Sequence, residues 1–251
     1  GAKQPRYYQE LAVNKAMEAI AGEENRILLN LATGTGKTFI SFQIAWKLFK
    51  SRWNMQKDGK RQPRILFLAD RNALVTQAKN AFREHLPDLS AIDLTKEKED
   101  NNTRLVLSTY PTIINKIDKV KTDNERFYGI GHFDLIIIDE AHRSVYQKYG
   151  AIFDYFDAML IGLTATPKKD IDHNTYGLFG IEDDNPTFAY ELDRAVKNGF
   201  LVPPKSISVP LKFQREGIKY DELSDAEKTE YEENCLIIFK YSNHNYCCRI
   251  S

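Results

Sequence analysis

At 251 residues and 42% hydrophobic content, the chain can hold one large α/β domain, or one domain with an appendage, around a substantial core. Lys plus Arg and Asp plus Glu both number 35, so the formal charge is zero. That excludes a global basic field for recruiting nucleic acid, although a local groove lined by a few donors suffices. No apolar run reaches about 18 residues and no charged-then-apolar leader opens the chain, so neither a membrane span nor a signal peptide is supported. Cys235, Cys247 and Cys248 lack zinc-ligand spacing and read as reduced thiols of a cytoplasmic protein. Because the chain begins with Gly1 rather than methionine, it is expected to be a piece of something longer.

The first stretch, PRYYQELAVNKAMEAI, places Leu11, Ala12, Ala16 and Ile20 on one helical stripe, and Gly22 supplies the stop. A short amphipathic helix is predicted there. At its entry Arg6, Tyr7, Tyr8 and Gln9 bring together a cation, two aromatic rings and an amide. A guanidinium can stack on a purine and a glutamine amide can pair with the N6 and N7 edge of adenine. Taken alone, these residues read as a solvated helix N-terminus.

Next comes ILLNLATGTGKTF, an apolar run that breaks into a glycine-rich loop and then a helical pattern. Gly34 and Gly36 permit a tight turn whose backbone N–H groups point at a phosphate, with the dipole of the following helix reinforcing the site. Lys37 would reach the outer phosphates, and the Thr38 hydroxyl would coordinate a bridging Mg²⁺. Thr33, Gly34, Thr35, Gly36, Lys37 and Thr38 are therefore candidate ATP-binding residues. The strict pattern G-x-x-x-x-G-K-[ST] fails once, at Leu31. The competing reading is a plain glycine turn between a buried strand and a helix.

From Arg26 onward apolar runs alternate with helical stretches. Strands are predicted over 27–31, 65–69, 105–108, 135–138 and 159–163. Helices are predicted over 39–49, with Ile40, Ile44 and Leu48 in register, and over 72–86, with Leu74, Ala78, Ala81 and Phe82. Near-continuous apolar strands alternating with helices predict an α/β fold, a parallel sheet flanked by helices on both faces. Residues 53–64, 96–103 and 119–132 read as surface connections. Polar residues gather where these strands end: Gly34 to Thr38, Asp70 and Arg71, Ser108 and Thr109, Asp139 and Glu140, Thr164 and Thr166. In an open parallel sheet those ends share one edge and form the ligand crevice.

In LIIIDEAHRS, apolar residues place Asp139 at a strand tip, where its carboxylate can hold Mg²⁺ through water. Glu140 can deprotonate the attacking water. The competing reading is an acidic helix N-terminus stabilised by the helix dipole.

At these residues the chain resembles the first lobe, a RecA-like P-loop domain, of a superfamily 2 helicase or translocase. ATGTGKT is similar to motif I, LADRNALVTQ to motif Ia, STYPTI to the motif after it, DEAHRS to motif II (the DEAH box) and GLTATP to motif III. With RYYQ and AYELDRAVKNGFLVPP, the chain most resembles the motor (R, HsdR-like) subunit of type I restriction enzymes. The resemblance implies ATP and Mg²⁺ as cofactors, with Lys37, Asp139 and Glu140 catalytic, Thr38 and Asp139 on the metal, and Arg6 and Gln9 at the adenine. It implies that Arg71, Asn72 and Thr109 contact DNA, while His142, Thr164 and Thr166 couple nucleotide state to the DNA side. It further implies double-stranded DNA as partner, together with the DNA-recognition and methyltransferase subunits of a restriction-modification complex.

In that family a nuclease domain precedes this region and a second lobe, carrying an arginine finger, follows it. Residues 1–205 are accordingly expected to be the ATP-binding lobe, and 206–251 the start of a connection. Beyond 205, SISVPLKF reads as a strand and 220–233 as an acidic helix. The tail CLIIFKYSNHNYCCRIS could be an altered reading frame, a truncation or a strand whose partner is missing. The alternatives to a type I motor are a type III restriction subunit, another DNA or RNA helicase, or a nucleotide-dependent binding module without turnover.

Overall fold

The computed structural model describes residues 4–86, 89–118, 128–141, 143–166, 173–181 and 185–203, with the backbone alone for 118, 143–147 and 173–175. His142, the strand and helix read beyond 205, and the three cysteines lie outside the described residues.

The elements run α1 (Tyr7–Ala21), β1 (Arg26–Leu31), α2 (Lys37–Ser51), β2 (Ile65–Ala69), α3 (Asn72–His85), β3 (Ala91–Asp93), β4 (Leu105–Thr109), α4 (Tyr110–Asp118), β5 (Leu135–Asp139), α5 (Arg143–Tyr155), β6 (Met159–Thr164), α6 (His173–Leu178), β7 (Phe188–Tyr190) and α7 (Leu192–Lys197). The strands form one seven-stranded sheet in the order β3-β4-β2-β5-β6-β1-β7, parallel at every pairing. The strands predicted from apolar runs are all present, some longer by one terminal residue. The edge strands β3 and β7, AID and FAY, were not foreseen. They are too short to carry a pattern and exist because β4 and β1 offer them a ladder.

Each central strand is apolar on both faces because both faces are covered. Ile27, Leu29, Phe67, Leu107, Ile137 and Ile161 pack toward α1, α2 and α3. Leu28, Leu66, Leu68, Val106, Ile136, Ile138 and Leu160 pack with Ile113 of α4 and with Ile152 and Phe153 of α5. Each fully buried Ile, Leu or Phe contributes about 1.5–3 kcal/mol relative to exposure, which is why these short strands hold without amphipathic alternation.

Two expectations need correction. Leu11 is 44% exposed; the inward stripe of α1 is Tyr8, Ala12, Val13, Ala16, Ala19 and Ile20. The connection before β2 is more than a surface loop, since Asn54 is wholly buried and Asp134, just before β5, clamps the segment. One Asp134 oxygen accepts from Arg61 Nη1 at 2.6 Å and the Arg64 amide at 2.8 Å. The other accepts from Arg61 Nη2 and the Met55 amide, both at 2.9 Å.

Candidate nucleotide site at the carboxyl edge of the sheet

β1 ends in a loop whose shape requires glycine. Gly34 and Gly36 have φ of +85° and +88°, in the left-handed region. A Cβ on Gly36 would also lie 2.6 Å from Gln9 Nε2. The Thr35 side chain is tucked in, its Oγ1 donating to the Ala32 carbonyl at 2.6 Å. The amides of Gly34, Gly36, Lys37 and Thr38 donate to no backbone carbonyl among the described residues. Those of Gly36, Lys37 and Thr38 are donors at the N-terminus of α2, and with the loop amide of Gly34 they can receive a phosphate. Thr33 and Gly34 are exposed beside them.

Residues distant in sequence brace this loop. The Thr35 carbonyl accepts from Gln9 Nε2 at 2.8 Å and from the Tyr8 hydroxyl at 3.1 Å. Gln9 Oε1 accepts from the Arg6 amide at 2.8 Å. Gln9 thus fastens the loop to α1, and still has one amide hydrogen and one lone pair for a ligand. Tyr8 stacks on Tyr190, with centroids 4.3 Å apart and planes 9° from parallel, and Phe200 packs edge-on to Tyr8. The Arg6 guanidinium lies 5.3 Å from the Phe200 centroid. Leu201 Cδ2 would lie 3.2 Å from a Cβ on Gly34. Sequence reasoning placed Tyr8 at the entry to α1 beside the loop but missed its partners Tyr190, Phe200 and Leu201. The available signal was the run of aromatics at 7–8, 190 and 200 flanking polar residues.

The strand order places β6 between β1 and β5, so the tip of β6 separates the phosphate loop from the DE pair. Lys37 Nζ nevertheless reaches Glu140 Oε1 at 2.6 Å, with the lysine side chain 11% exposed. Glu140 has φ +58°, strained for a residue with a Cβ. Asp139 Oδ1 is buried with no hydrogen-bond partner among the described residues. Burial raises the Asp139 pKa above the ordinary carboxylate value; Lys37 opposes that shift and Glu140 adds to it. An orphaned, desolvated carboxylate oxygen beside a lysine and a second carboxylate fits a divalent cation, which would supply the missing partner.

Of the coupling candidates, Thr164 ends β6 and Thr166 follows it two residues on. Thr164 pairs in register with Asn30 of β1, and Leu163 with Asp139 of β5. Thr164 Oγ1 accepts from the Thr166 amide at 3.1 Å, and the Ala141 amide donates to the Leu163 carbonyl at 2.8 Å. Asn30, also missed, is 1% exposed and its Nδ2 has no hydrogen-bond partner among the described residues.

The DNA candidates are less uniform. Arg71 caps α3 with its side chain 62% exposed, and Asn72 beside it is exposed. Thr109 is 7% exposed and its hydroxyl is paired with that of Thr112 at 3.0 Å. Thr112, half-buried, is the more accessible hydroxyl of that turn.

A family model described as type III restriction enzyme, res subunit, matches residues 2–169. The chain is 39% identical over 222 residues to the type I restriction enzyme EcoAI endonuclease subunit of Escherichia coli. It is 30% identical over 254 residues to the EcoKI endonuclease subunit of Escherichia coli strain K12. These alignments cover 86% and 90% of this chain but 25% and 20% of the relatives, so the chain spans a quarter or less of their length. A solved fragment of a type I restriction enzyme HsdR subunit from Vibrio vulnificus YJ016 matches with a TM-score of 0.59 at 34% identity, over 79% of this chain and 32% of that one. With the phosphate loop, the DE pair and the sheet order agreeing, the chain belongs to the restriction-enzyme res subunit family, and its described residues form a superfamily 2 helicase-like motor region of RecA-like fold.

Proposed function

We propose that this chain is the ATP-hydrolysing lobe of a duplex-DNA translocase, of the kind a type I restriction endonuclease subunit carries. The observation that carries the reading is Lys37 paired to Glu140 at 2.6 Å beside the orphaned oxygen of Asp139. The groups needed to bind a triphosphate and to activate water neutralise each other until nucleotide arrives.

In this mechanism the loop amides and Lys37 take the outer phosphates, and Lys37 leaves Glu140 to do so. Glu140 is then free to accept the proton of a water that attacks the γ-phosphorus as the bond to the ADP oxygen breaks. Thr38 and Asp139 would hold Mg²⁺, which when bound screens the phosphate charge. Arg6 and the unused donor and acceptor of Gln9 take adenine. Thr164 and Thr166, with His142, pass the nucleotide state toward Arg71, Asn72 and Thr109 on the DNA side. Residues 1–205 make this lobe and 206–251 begin a connection to a second. The partners are double-stranded DNA and the DNA-recognition and methyltransferase subunits of a restriction-modification complex, and the protein works in the cytoplasm.

The test is ATP hydrolysis and translocation by the full natural chain, with and without duplex DNA, beside Lys37→Ala. We expect duplex-stimulated turnover that Lys37→Ala lowers by about 10²–10³-fold while the protein stays folded. Continued translocation by folded Lys37→Ala overturns the assignment. The family match favours one second reading, a type III restriction subunit, for which the flanking subunits differ and the lobe chemistry is the same.

A further inference from the structure

Tyr110 is fully buried, yet it keeps a hydroxyl where phenylalanine would fill the same space. Its ring stacks on Tyr149 of α5, centroids 5.0 Å apart and planes 11° from parallel. Its hydroxyl donates to the Asp139 carbonyl at 3.3 Å. That carbonyl belongs to the peptide joining Asp139 to Glu140, and its orientation is tied to the left-handed φ of Glu140. On the far side of Glu140 the Ala141 amide is fixed to Leu163 of β6. Glu140 is thus suspended between two anchors, one on β6 and one on Tyr110.

Tyr110 is also the first residue of α4, immediately after Thr109 and in the turn whose hydroxyls, Thr109 and Thr112, pair with each other. Anything that grips this turn moves the start of α4, and with it the phenol. Burial, with the carboxylates of Asp139, Asp70 and Glu140 nearby, raises the Tyr110 pKa well above its ordinary value, so the phenol remains a neutral donor. At 3.3 Å the bond is long for O–H···O, whose usual length is about 2.7–2.8 Å, so it holds the peptide weakly.

We propose that Tyr110 is a positioning residue that couples nucleic-acid contact at the β4–α4 turn to Glu140, by holding the Asp139–Glu140 peptide in the orientation that rests Glu140 on Lys37. Nucleic acid gripping the turn withdraws the phenol, the peptide rotates, and Glu140, already released by Lys37 when nucleotide binds, swings from its resting position to the attacking water. This rests on the translocase reading above and adds to it a route by which the polymer controls the base.

The experiment measures ATP turnover of the full natural chain with saturating duplex DNA and without it, for the parent, Tyr110→Phe and Tyr149→Leu. Tyr110→Phe removes only the hydroxyl and keeps the stack. We expect its ratio of stimulated to unstimulated kcat to fall at least about fivefold, the lower end of ordinary coupling between sites. KM for ATP, Kd for DNA and Tm should stay near the parent values. Tyr149→Leu should do the opposite, lowering Tm while keeping the ratio. A folded Tyr110→Phe with the parent's ratio overturns the coupling alone. An equal loss of ratio in Tyr149→Leu also overturns it, because packing would then suffice. A parent without duplex stimulation overturns the translocase reading and the coupling together.

Discussion

Asp134 and Asp139 flank the same strand, both largely buried, and they are treated in opposite ways. Asp134, at the amino end of β5, has each oxygen satisfied twice, by Arg61 and by the amides of Met55 and Arg64. Asp139, at the carboxyl end, keeps an oxygen with no partner among the described residues and stands next to a strained glutamate. A buried carboxylate that is fully paired ties a structure together, whereas one left short of partners is costly and persists where a ligand completes it. The two ends of one strand thus separate holding the fold from performing chemistry.

The contrast can be broken most sharply at Glu140. Glu140→Gln should lower duplex-stimulated hydrolysis by about 10²–10⁴-fold, the usual worth of a general base, with a melting curve close to the parent's. A large loss of stability instead would mean that the carboxyl end is also scaffold. Asp134→Ala should do the reverse. Removing it leaves the part-exposed Arg61 without its bidentate partner and two half-buried amides unpaired, at a cost of about 1–3 kcal/mol by chemical denaturation. Below the shifted melting point, ATP turnover per folded molecule should be unchanged.

The smallest effect sharpens the comparison through pH. The Asp139 pKa is raised on folding, so the native state holds its proton to higher pH than the unfolded chain does. Stability is therefore lost as pH rises from the ordinary carboxylate value through the raised one, and the penalty is complete above it. Asp139→Asn lacks this penalty and should stabilise the ligand-free protein by about 0.5–2 kcal/mol at neutral pH. The gain should shrink toward zero in acid, and Mg²⁺-dependent turnover should vanish throughout. A gain independent of pH would remove the desolvated charge as its cause.

Much of this was legible in sequence because the signals were local. The apolar runs of β1, β2, β4, β5 and β6 are continuous, since both faces are covered, and the glycines of the phosphate loop announce a turn that only glycine makes. What was not legible depends on pairing at a distance. Asp134 gave no sign of being a clamp, because its partners lie in a loop that read as solvent-exposed. Spacing alone puts Leu11 on the inward stripe, whereas the ring of Tyr8 takes the inward position through its stack on Tyr190. Tyr110 followed a recognised threonine and was passed over, because a tyrosine near an apolar run reads as core until its hydroxyl is seen on Asp139.

The three-residue strand β7 has a practical consequence for handling this protein. It pairs along Leu29 to Leu31, so it caps the open flank of β1, and the chain after it returns over Tyr8 and the phosphate loop. A fragment cut at residue 169, where the family match ends, would leave that flank as a bare, flat, apolar ladder free to recruit the same flank of another molecule. Such a fragment should express into inclusion bodies, and one carried through Leu201 should stay in the supernatant.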